Sequence, residues 1–390
     1  MRVLFTTTPG RGHIYPMVPL ARAFLRAGHA VGWAAAEDAC APLRREGFDA
    51  FACGLGEDVA HAEFQRRFPQ VREMAPAERP EFMFPRLFGS VRAAPMLADL
   101  LPIARQWQPS LLINEQAELA GPIAAAALGI PSVTHAFGSL LPPTRVADAG
   151  ELLASLWQAH GLKARPFAGT YEHLYLDIYP PSLQAAQTSH IDAIQPLRPV
   201  AFADPSDSAN DWSSEDAGRP LVYVTFGTVF NRDIAPIATA VAALRELAVR
   251  VVVTLGPGRD LGALGDQPAN VHVAGYIAQT ELLPHCAAVV SHAGSGTFLA
   301  AIARGLPQLF LPQAADQFLN AAAGARCGAG IAIQPHELTL DNARDAARQL
   351  LDDPAFRGAA ERVSAEIQAM PAPDAVVDEI EHRFGHDPGA

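Results

Sequence analysis

The sequence predicts a doubly wound α/β protein with two domains. Short apolar runs alternate with amphipathic or alanine-rich stretches of helical pattern, and the links between them are short. A chain of 390 residues has the length of two domains. The alternation stops at residues 205–219, which are rich in Ser, Asp and Ala, and then begins again. We therefore expect one domain over 1–204, a linker over 205–219 and a second domain over 220–374.

The individual elements follow from the same pattern. In the first half, apolar β-rich runs predict strands at 3–7, 30–35, 111–114 and 132–136. Stretches of helical pattern predict helices at 19–27 and 118–128. In the second half, strands are predicted at 221–226, 250–255, 271–274, 287–290 and 306–311. Helices are predicted from about 297 to 303 and over most of 340–386.

The bulk composition narrows the class of protein. Hydrophobic residues make up 49% of the chain and charged residues 18%, which suits large buried cores. The net charge of −12 argues against a nucleic-acid partner. The 4 cysteines are scattered, so neither a zinc site nor a disulfide framework is expected. We expect a soluble cytoplasmic protein, because the start has no signal-peptide pattern and prolines interrupt the uncharged stretch 119–144.

A glycine-rich turn in the second half has the composition of a phosphate site. Residues 291–297, Ser-His-Ala-Gly-Ser-Gly-Thr, lie between a predicted strand and a predicted helix. Glycine lets the backbone approach a ligand, and the free N–H groups of a helix start attract anions. Alone, such a turn is equally typical of an ordinary strand-to-helix link that binds nothing. Pro312-Gln313, Asp316-Gln317 and Asn320 follow it, and they favour the phosphate site.

These residues carry a resemblance to a known family. The pattern H-x-G-x-G-T, then P-Q-x-x-D-Q-x-x-N about fifteen residues later, resembles the donor-binding signature of family 1 glycosyltransferases. The likeness is greatest to bacterial enzymes that decorate natural products such as macrolides and enediynes. It implies the GT-B fold, in which two Rossmann-like domains face a central cleft and a final helix, here 375–390, returns to the first domain. Ala293 stands where the family more often has glycine. We expect the loop to tolerate alanine there unless the backbone φ at this position is positive.

The resemblance implies a catalytic pair in the first domain. His13, in the motif G-H-x-x-P after the first strand, occupies the position of the family's catalytic base. Histidine suits that role because its pKa lies near the working pH. The family usually places an aspartate after the fourth core strand to orient the base, and Glu115 stands at that position here.

The resemblance also assigns the donor site. The diphosphate is expected to contact the glycine-rich turn, and Tyr276 and Ile277 to meet the base of the nucleotide. Asp316 and Gln317 match the pair that binds sugar hydroxyls, while Asn320 is expected to support their loop. The full set of expected donor-binding residues is Gly12, Gly227, Thr228, Tyr276, Ile277, His292, Gly294, Ser295, Gly296, Thr297, Asp316 and Gln317.

Residues 58–107 interrupt the α/β alternation and are rich in phenylalanine and methionine. Such side chains either pack an insertion onto its own domain or form the wall of an apolar pocket. The resemblance places acceptor-binding loops in this region. The expected acceptor-binding residues are Phe64, Phe82, Met83, Phe84, Phe88 and, outside the insertion, Phe137.

The sequence thus predicts an inverting glycosyltransferase that moves a sugar from a UDP- or dTDP-sugar to a hydroxyl of a hydrophobic small molecule. No D-x-D motif occurs, so we expect no metal and no cofactor beyond the nucleotide sugar. Two alternatives stay open on this evidence: a non-catalytic partner protein of the same fold, and a nucleotide-sugar epimerase or lipid-linked sugar transferase. The motifs do not choose between UDP and dTDP, name the sugar or the acceptor, distinguish O- from N-, S- or C-transfer, or exclude a homodimer.

Overall fold

The computed structural model describes residues 1–75, 78–185, 187–202, 218–227, 234–256 and 258–385. These residues form two compact units. Unit 1 comprises Met1–Ile178, Ala186–Leu197 and Pro371–Ala390, and unit 2 comprises Tyr179–Ala185 and Arg198–Met370. Of the predicted linker 205–219, all but the last two residues lie outside the described part of the chain.

Unit 1 alternates strands and helices. Its strands are β1 Arg2–Thr6, β2 Ala30–Ala35, β3 Asp49–Ala52, β4 Leu111–Glu115, β5 Ser132–His135, β6 Leu174–Asp177 and β7 Ile194–Pro196. Its first eight helices are α1 Arg11–Ile14, α2 Val18–Arg26, α3 Glu37–Arg45, α4 Glu57–Arg67, α5 Arg79–Phe84, α6 Ala93–Trp107, α7 Gly121–Leu128 and α8 Pro143–Ala159. A π-helical segment, Pro85–Arg92, joins α5 to α6.

The seven described strands of unit 1 form one parallel sheet in the order β3-β2-β1-β4-β5-β6-β7. The direction in which successive strands are added reverses between β1 and β4, which makes this pair the topological switch point. In open α/β sheets, ligands bind at that point, outside the carboxyl ends of the strands. The loop after β1 and the last residue of β4 therefore meet where a ligand is expected.

Unit 2 repeats this design. Its strands are β8 Leu221–Thr225, β9 Arg250–Thr254, β10 Val271–Ala274, β11 Ala288–Ser291, β12 Gln308–Phe310 and β13 Gly330–Ala332. Its helices are α9 Ala235–Leu244, α10 Gln279–Leu282, α11 Ser295–Ile302, α12 Gln317–Arg326, α13 Leu340–Asp352 and α14 Pro354–Ala369. Among the described residues, the parallel sheet has the order β10-β9-β8-β11-β12-β13, so the switch point lies between β8 and β11.

The last helix, α15 Pro373–Phe384, belongs to unit 1. It packs on α2 through Val376, Val377 and Ile380, all of which are fully buried. Two ion pairs flank this apolar contact: Arg26 with Asp374 at 2.7 Å, and His29 with Glu381 at 2.5 Å.

Two segments of the predicted first domain, Tyr179–Ala185 and 198–202, group with unit 2. Tyr179–Ala185 is anchored there, because the Tyr179 hydroxyl donates to Asn320 Oδ1 (2.8 Å) and Arg326 donates to the Leu183 carbonyl (2.9 Å). Sequence composition carries no sign of such an exchange, because it depends on partners more than 140 residues away.

The uncharged stretch 119–144 divides into α7, a turn at Gly129 and β5, as its prolines and glycine predict. One helical run in the described residues, Arg79–Trp107, has the length and hydropathy of a membrane span. Within this run, 56% of the most apolar stretch of 18 residues is buried inside the protein, which is common for a core helix. This run is therefore weak evidence for a membrane.

Candidate functional site

His13 and Glu115 meet at the switch point of unit 1. His13 lies on α1, in the loop after β1, and Glu115 ends β4. The His13 Nδ1 atom lies 3.1 Å from Oε1 of Glu115, although the ring N–H does not point straight at that oxygen. Nε2 is thus the nitrogen left to accept a proton from a substrate. The His13 side chain is 24% exposed and Glu115 is fully buried, so the ring is the accessible member of the pair.

The Glu115 carboxylate is held by the chain around it. The Thr8 hydroxyl donates to Oε1 at 2.7 Å, and the backbone N–H of Ala117 donates to Oε2 at 2.6 Å. Burial alone would raise the pKa of Glu115, but its charge interaction with His13 and these donors outweigh burial and lower it. The carboxylate is therefore ionised at neutral pH. The longer glutamate reaches the histidine from the position where the family usually has aspartate.

Glu115 in turn sets the protonation of His13. Burial lowers the pKa of His13, whereas the Glu115 carboxylate raises it, and the net effect is a pKa above the ordinary 6.5. The base is therefore stronger than a free imidazole. Arg92 works in the opposite direction and lowers the pKa of His13.

Aromatic rings border His13. Phe137 stands edge-on at 4.7 Å between ring centroids, and Phe88 lies at 6.1 Å. Phe84 packs against Phe88 with its ring tilted by 42° and the centroids 4.9 Å apart. Of the predicted acceptor-binding residues, Phe88 and Phe137 therefore border His13, and Phe84 packs against Phe88. Phe64 instead lies in a buried cluster with Ala60, Val71, Leu87 and Val91, against which Phe82 and Met83 pack. These last three side chains pack the insertion onto itself.

The glycine-rich turn lies at the switch point of unit 2. His292 follows β11, and Gly227 follows the neighbouring β8. A Cβ on Gly227 would lie 3.1 Å from the His292 Nε2 atom, and a Cβ on Gly294 would lie 2.5 Å from it. A side chain at Gly294 would therefore collide with the imidazole, and one at Gly227 would crowd it and also be strained by the positive φ of 68°. Thr228, the other residue predicted beside Gly227, lies outside the described residues.

His292 is neutral at physiological pH. Burial lowers its pKa to about 4, against the opposing influence of Asp316 and of the Thr225 backbone. It therefore offers a phosphate group a hydrogen bond rather than a positive charge. The start of α11 adds the helix dipole and the free N–H groups of its first turn. Nothing lies within 4 Å of a Cβ built on Gly296, so the space there is open.

Ala293 has a φ of 64°, the left-handed region in which glycine is favoured. The condition under which alanine is strained at this position is therefore met. The strain costs about 1–2 kcal/mol. Two hydrogen bonds secure the residue: its N–H donates to the Ser291 hydroxyl (3.1 Å), and its carbonyl accepts from Asn320 Nδ2 (2.9 Å).

Asp316 and Gln317 begin α12 beside this turn. Asp316 Oδ2 accepts from the Ser295 hydroxyl at 2.6 Å and from Asn320 at 3.2 Å. Buried Asn320 also donates to Ser295 Oγ, which is the supporting role predicted for it. Gln317 is buried, and its Oε1 accepts from the N–H groups of Gln313 and Ala314. That oxygen therefore shapes the loop.

The remaining predicted donor residues are spread over both units. Ile277 is buried after β10, next to the partly exposed Tyr276. Thr297 lies in the first turn of α11, where its hydroxyl accepts from Gln279 Nε2 at 2.8 Å. Gly12 lies in unit 1, one residue before His13 on α1. The roles of these residues stay predictions.

The sequence did not single out Thr8, Gln279 or Glu118. Thr8 directly precedes the Pro9-Gly10 turn, and Gln279 closes the loop after β10, so position at a strand end was the available signal. Glu118 accepts hydrogen bonds from Thr6 and from two backbone N–H groups, yet burial raises its pKa to about 7. No group of three or more His, Cys, Asp or Glu side chains in the described residues is arranged to hold a metal ion.

Comparison with known proteins agrees with this geometry. Residues 22–227 match the N-terminal domain, and residues 238–382 the C-terminal domain, of the family described as erythromycin biosynthesis protein CIII-like. The L-demethylnoviosyl transferase of Streptomyces niveus is 34% identical over 97% of each chain. The structure of the glycosyltransferase VinC in complex with dTDP has 30% identity and a TM-score of 0.81, covering 99% of this chain and 100% of that one. The spinosyn rhamnosyltransferase SpnG, complexed with spinosyn aglycone, has 30% identity and a TM-score of 0.80 over 98% and 100%.

The two doubly wound units, with a histidine–carboxylate pair in one and a glycine-rich turn in the other, define a glycosyltransferase of the GT-B class. The chain belongs to the erythromycin biosynthesis protein CIII-like family, whose domains cover nearly its whole length. The predicted fold class, the family and the assignment as a sugar-transferring enzyme are confirmed.

Proposed function

We propose that this enzyme transfers a sugar, with inversion at the anomeric carbon, from a dTDP- or UDP-sugar to a hydroxyl of a hydrophobic natural product, without a metal. The observation that carries this proposal is the pair of His13 and ionised Glu115 at the switch point of unit 1, with His13 bordered by Phe88 and Phe137. A base with a raised pKa next to apolar rings suits removal of a proton from a hydroxyl on an apolar molecule.

The chemical step is a single displacement. Nε2 of His13 takes the proton of the acceptor hydroxyl, and that oxygen forms a bond to the anomeric carbon. The bond from this carbon to the diphosphate oxygen breaks, and its electron pair leaves with the diphosphate. One displacement inverts the configuration. Glu115 stabilises the imidazolium that forms, as in other histidine–carboxylate pairs.

The donor is held by the turn of unit 2. Neutral His292, the hydroxyl of Thr297 and the N–H groups at the start of α11 present hydrogen bonds and a positive dipole end to the diphosphate, whereas the Ser295 hydroxyl is already donated to Asp316. These groups stabilise the leaving anion without a cation. The complex of VinC with dTDP supports a dTDP-sugar over a UDP-sugar as the donor, and the aglycone complex of SpnG supports a natural-product acceptor.

The direct test is a mass-spectrometric screen. The purified chain is incubated with dTDP- and UDP-sugars and with a panel of macrolide and polycyclic aromatic aglycones. We expect a mass gain of one sugar, greater with dTDP donors, and an anomeric configuration opposite to that of the donor in the NMR coupling of the product. Retained configuration would contradict the single displacement.

Metal independence is a separate prediction. Because hydrogen bonds and a helix dipole stabilise the leaving group, turnover should be unchanged in excess EDTA. A magnesium-dependent kinase assayed in the same buffer provides the control for complete chelation. Loss of turnover that magnesium or manganese restores would show that the leaving group is stabilised by a cation.

A further inference from the structure

A small cavity lies at the carboxyl edge of the sheet in unit 1, and one of its walls is Phe88, the ring that borders His13. Its walls include Thr8, Cys53, Phe88, Arg92 and Glu118, and its free volume is about 20 Å³. That space takes one group the size of a water molecule. It therefore suits a single oxygen that projects from a larger ligand.

Arg92 brings an incompletely paired cation to this cavity. Its side chain is 7% exposed, and its Nη2 atom donates to Glu57 Oε2 at 2.7 Å. Within the described part of the chain, its Nε and Nη1 atoms are shielded from solvent and have no hydrogen-bond partner. Buried donors without acceptors are costly, so an arginine retained in this state indicates a partner that the chain itself does not supply.

The neighbouring carboxylate of Glu118 is not the acceptor for these Arg92 donors. Glu118 also lines the cavity, but its two oxygens accept from the Thr6 hydroxyl and from the N–H groups of Ala120 and Gly121. It makes no hydrogen bond with Arg92 among those described. Burial raises the pKa of Glu118 to about 7, and the negative charge of Glu115 adds to this rise.

The cavity adjoins the catalytic pair. Phe88 lines it and lies 6.1 Å from the His13 ring, and Thr8 lines it and donates to Glu115. Arg92 is also the last residue of the π-helical segment Pro85–Arg92, an irregularity found often at functional sites. Phe88 is thus the common neighbour of His13 and Arg92, whose Cζ atom lies 5.7 Å from the Phe88 ring centroid. A molecule that offers its hydroxyl to His13 and packs along Phe88 would bring a second oxygen towards Arg92.

We infer that Arg92 is a specificity-determining residue that binds a carbonyl, phenolate or carboxylate oxygen of the acceptor and so presents the neighbouring hydroxyl to His13. This inference rests on the proposed function. It narrows the acceptor class to molecules that carry such an oxygen beside the glycosylated hydroxyl, as hydroxy-acids and hydroxy-ketones on an aromatic ring do.

The test compares two probes that differ in that oxygen, 3-hydroxy-2-naphthoate and 2-naphthol. Calorimetry with the full chain in the presence of dTDP measures the affinity of each. We expect the naphthoate to bind about 10- to 100-fold more tightly, the range for a hydrogen bond to a charged group. Arg92→Met should remove this preference while the affinity for 2-naphthol stays within about twofold. Arg92→Lys, which keeps the charge, should retain part of it. Arg66→Met is the matched control, because Arg66 is 70% exposed on α4.

The outcomes separate the two proposals. A preference that survives in both Arg92 variants, or a wild-type protein that shows none, overturns the inference. A preference that depends on Arg92, in a chain that transfers no sugar to either probe or to the aglycone panel, supports the binding role and counts against the proposed function. Thermal unfolding of each variant distinguishes loss of the contact from loss of the fold.

Discussion

At the scale of single residues, the pair of His13 and Glu115 is proposed to carry the chemistry. Each alters the pKa of the other: the carboxylate raises that of the imidazole, and the charge interaction between the two helps keep the carboxyl ionised. A buried glutamate that lacks a charge interaction with a histidine has a raised pKa instead, as Glu118 does only three positions along the chain. The difference lies in the partners that each carboxylate finds.

Replacement of His13 by alanine should lower turnover by about 10²–10⁴-fold, the usual contribution of a general base. Affinity for dTDP should stay the same, because the residues proposed to bind the diphosphate belong to unit 2. The measurement is a single-turnover rate with an alcohol acceptor, since a phenol of low pKa has less need of a base. His160→Ala, an exposed histidine of unit 1, is the control. A loss of less than about tenfold would remove His13 from the catalytic role.

Glu115→Gln keeps the shape of the side chain and removes its charge. His13 must be neutral to accept a proton, so kcat/KM falls as the pH drops below the pKa of His13. Glu115 holds that pKa above 6.5, so its loss should move the acid limb of the profile to lower pH. The maximal rate should fall as well, because the imidazolium loses its counter-charge. The profile of Glu151→Gln, an exposed carboxylate, should match the wild type. An acid limb that does not move in Glu115→Gln would show that another group titrates.

At the scale of an element, the turn between β11 and α11 depends on glycine for a steric reason. The His292 ring occupies the space that side chains on Gly227 and Gly294 would need, and Phe226 lies parallel to it with ring centroids 6.0 Å apart. The glycines that flank this turn are thus explained by the position of one imidazole. The proposed phosphate binding would depend on the same local geometry as the placement of the ring.

Gly294→Ala should therefore displace the His292 ring, because the new methyl group would lie 2.5 Å from its Nε2 atom. We expect dTDP affinity to fall by at least about tenfold, a loss of ~1.4 kcal/mol, and as far as it falls in His292→Ala. The double variant should be little worse than either, because both remove the same contact. Gly358→Ala is the control within unit 2, since its methyl group has room on α14. Unchanged calorimetric affinity in both single variants would refute the phosphate role of this turn.

At the scale of the whole molecule, the chain returns to unit 1 after completing unit 2. Val376, Val377 and Ile380 of α15 are buried against unit 1, and burying each such side chain is worth about 1.5–3 kcal/mol. Their sum is comparable with the total stability of a typical domain, about 5–15 kcal/mol. The surface ion pair of Arg26 and Asp374, with side chains 57% and 64% exposed, contributes far less.

A chain shortened to end at Met370 should lose the folded state of unit 1 at a markedly lower temperature, while unit 2 keeps its own transition. Differential scanning calorimetry separates the two transitions, and hydrogen exchange assigns them. Arg26→Ala, which removes only the ion pair, should change stability by no more than about 1 kcal/mol. A single unaltered transition in the shortened chain would show that α15 does not support unit 1.

The sequence by itself determined the central strands of each sheet, whereas the outer strands β3, β6, β7 and β13 were not predicted. The predicted strand 30–35 is the observed β2, and the predicted 271–274 is β10, because buried parallel strands are written as continuous apolar runs. The family resemblance assigned His13 and Glu115 their expected roles, and the topology explains why the two side chains meet, because it brings the carboxyl ends of β1 and β4 together.

Only the tertiary structure decided what each of these residues touches. Gln317 carries the motif of a sugar-binding residue, yet its oxygen holds the backbone of its own loop. Phe64 and Phe88 come from the same aromatic insertion and share one apolar cluster, but Phe64 is buried within it, whereas Phe88 lies at its margin and also borders His13. The positive φ of Ala293 and the unpaired donors of Arg92 have no mark in the sequence. Periodicity records which face of an element is buried, whereas partners, dihedral angles and shifted pKa values depend on residues that are distant in the chain and meet only when it folds.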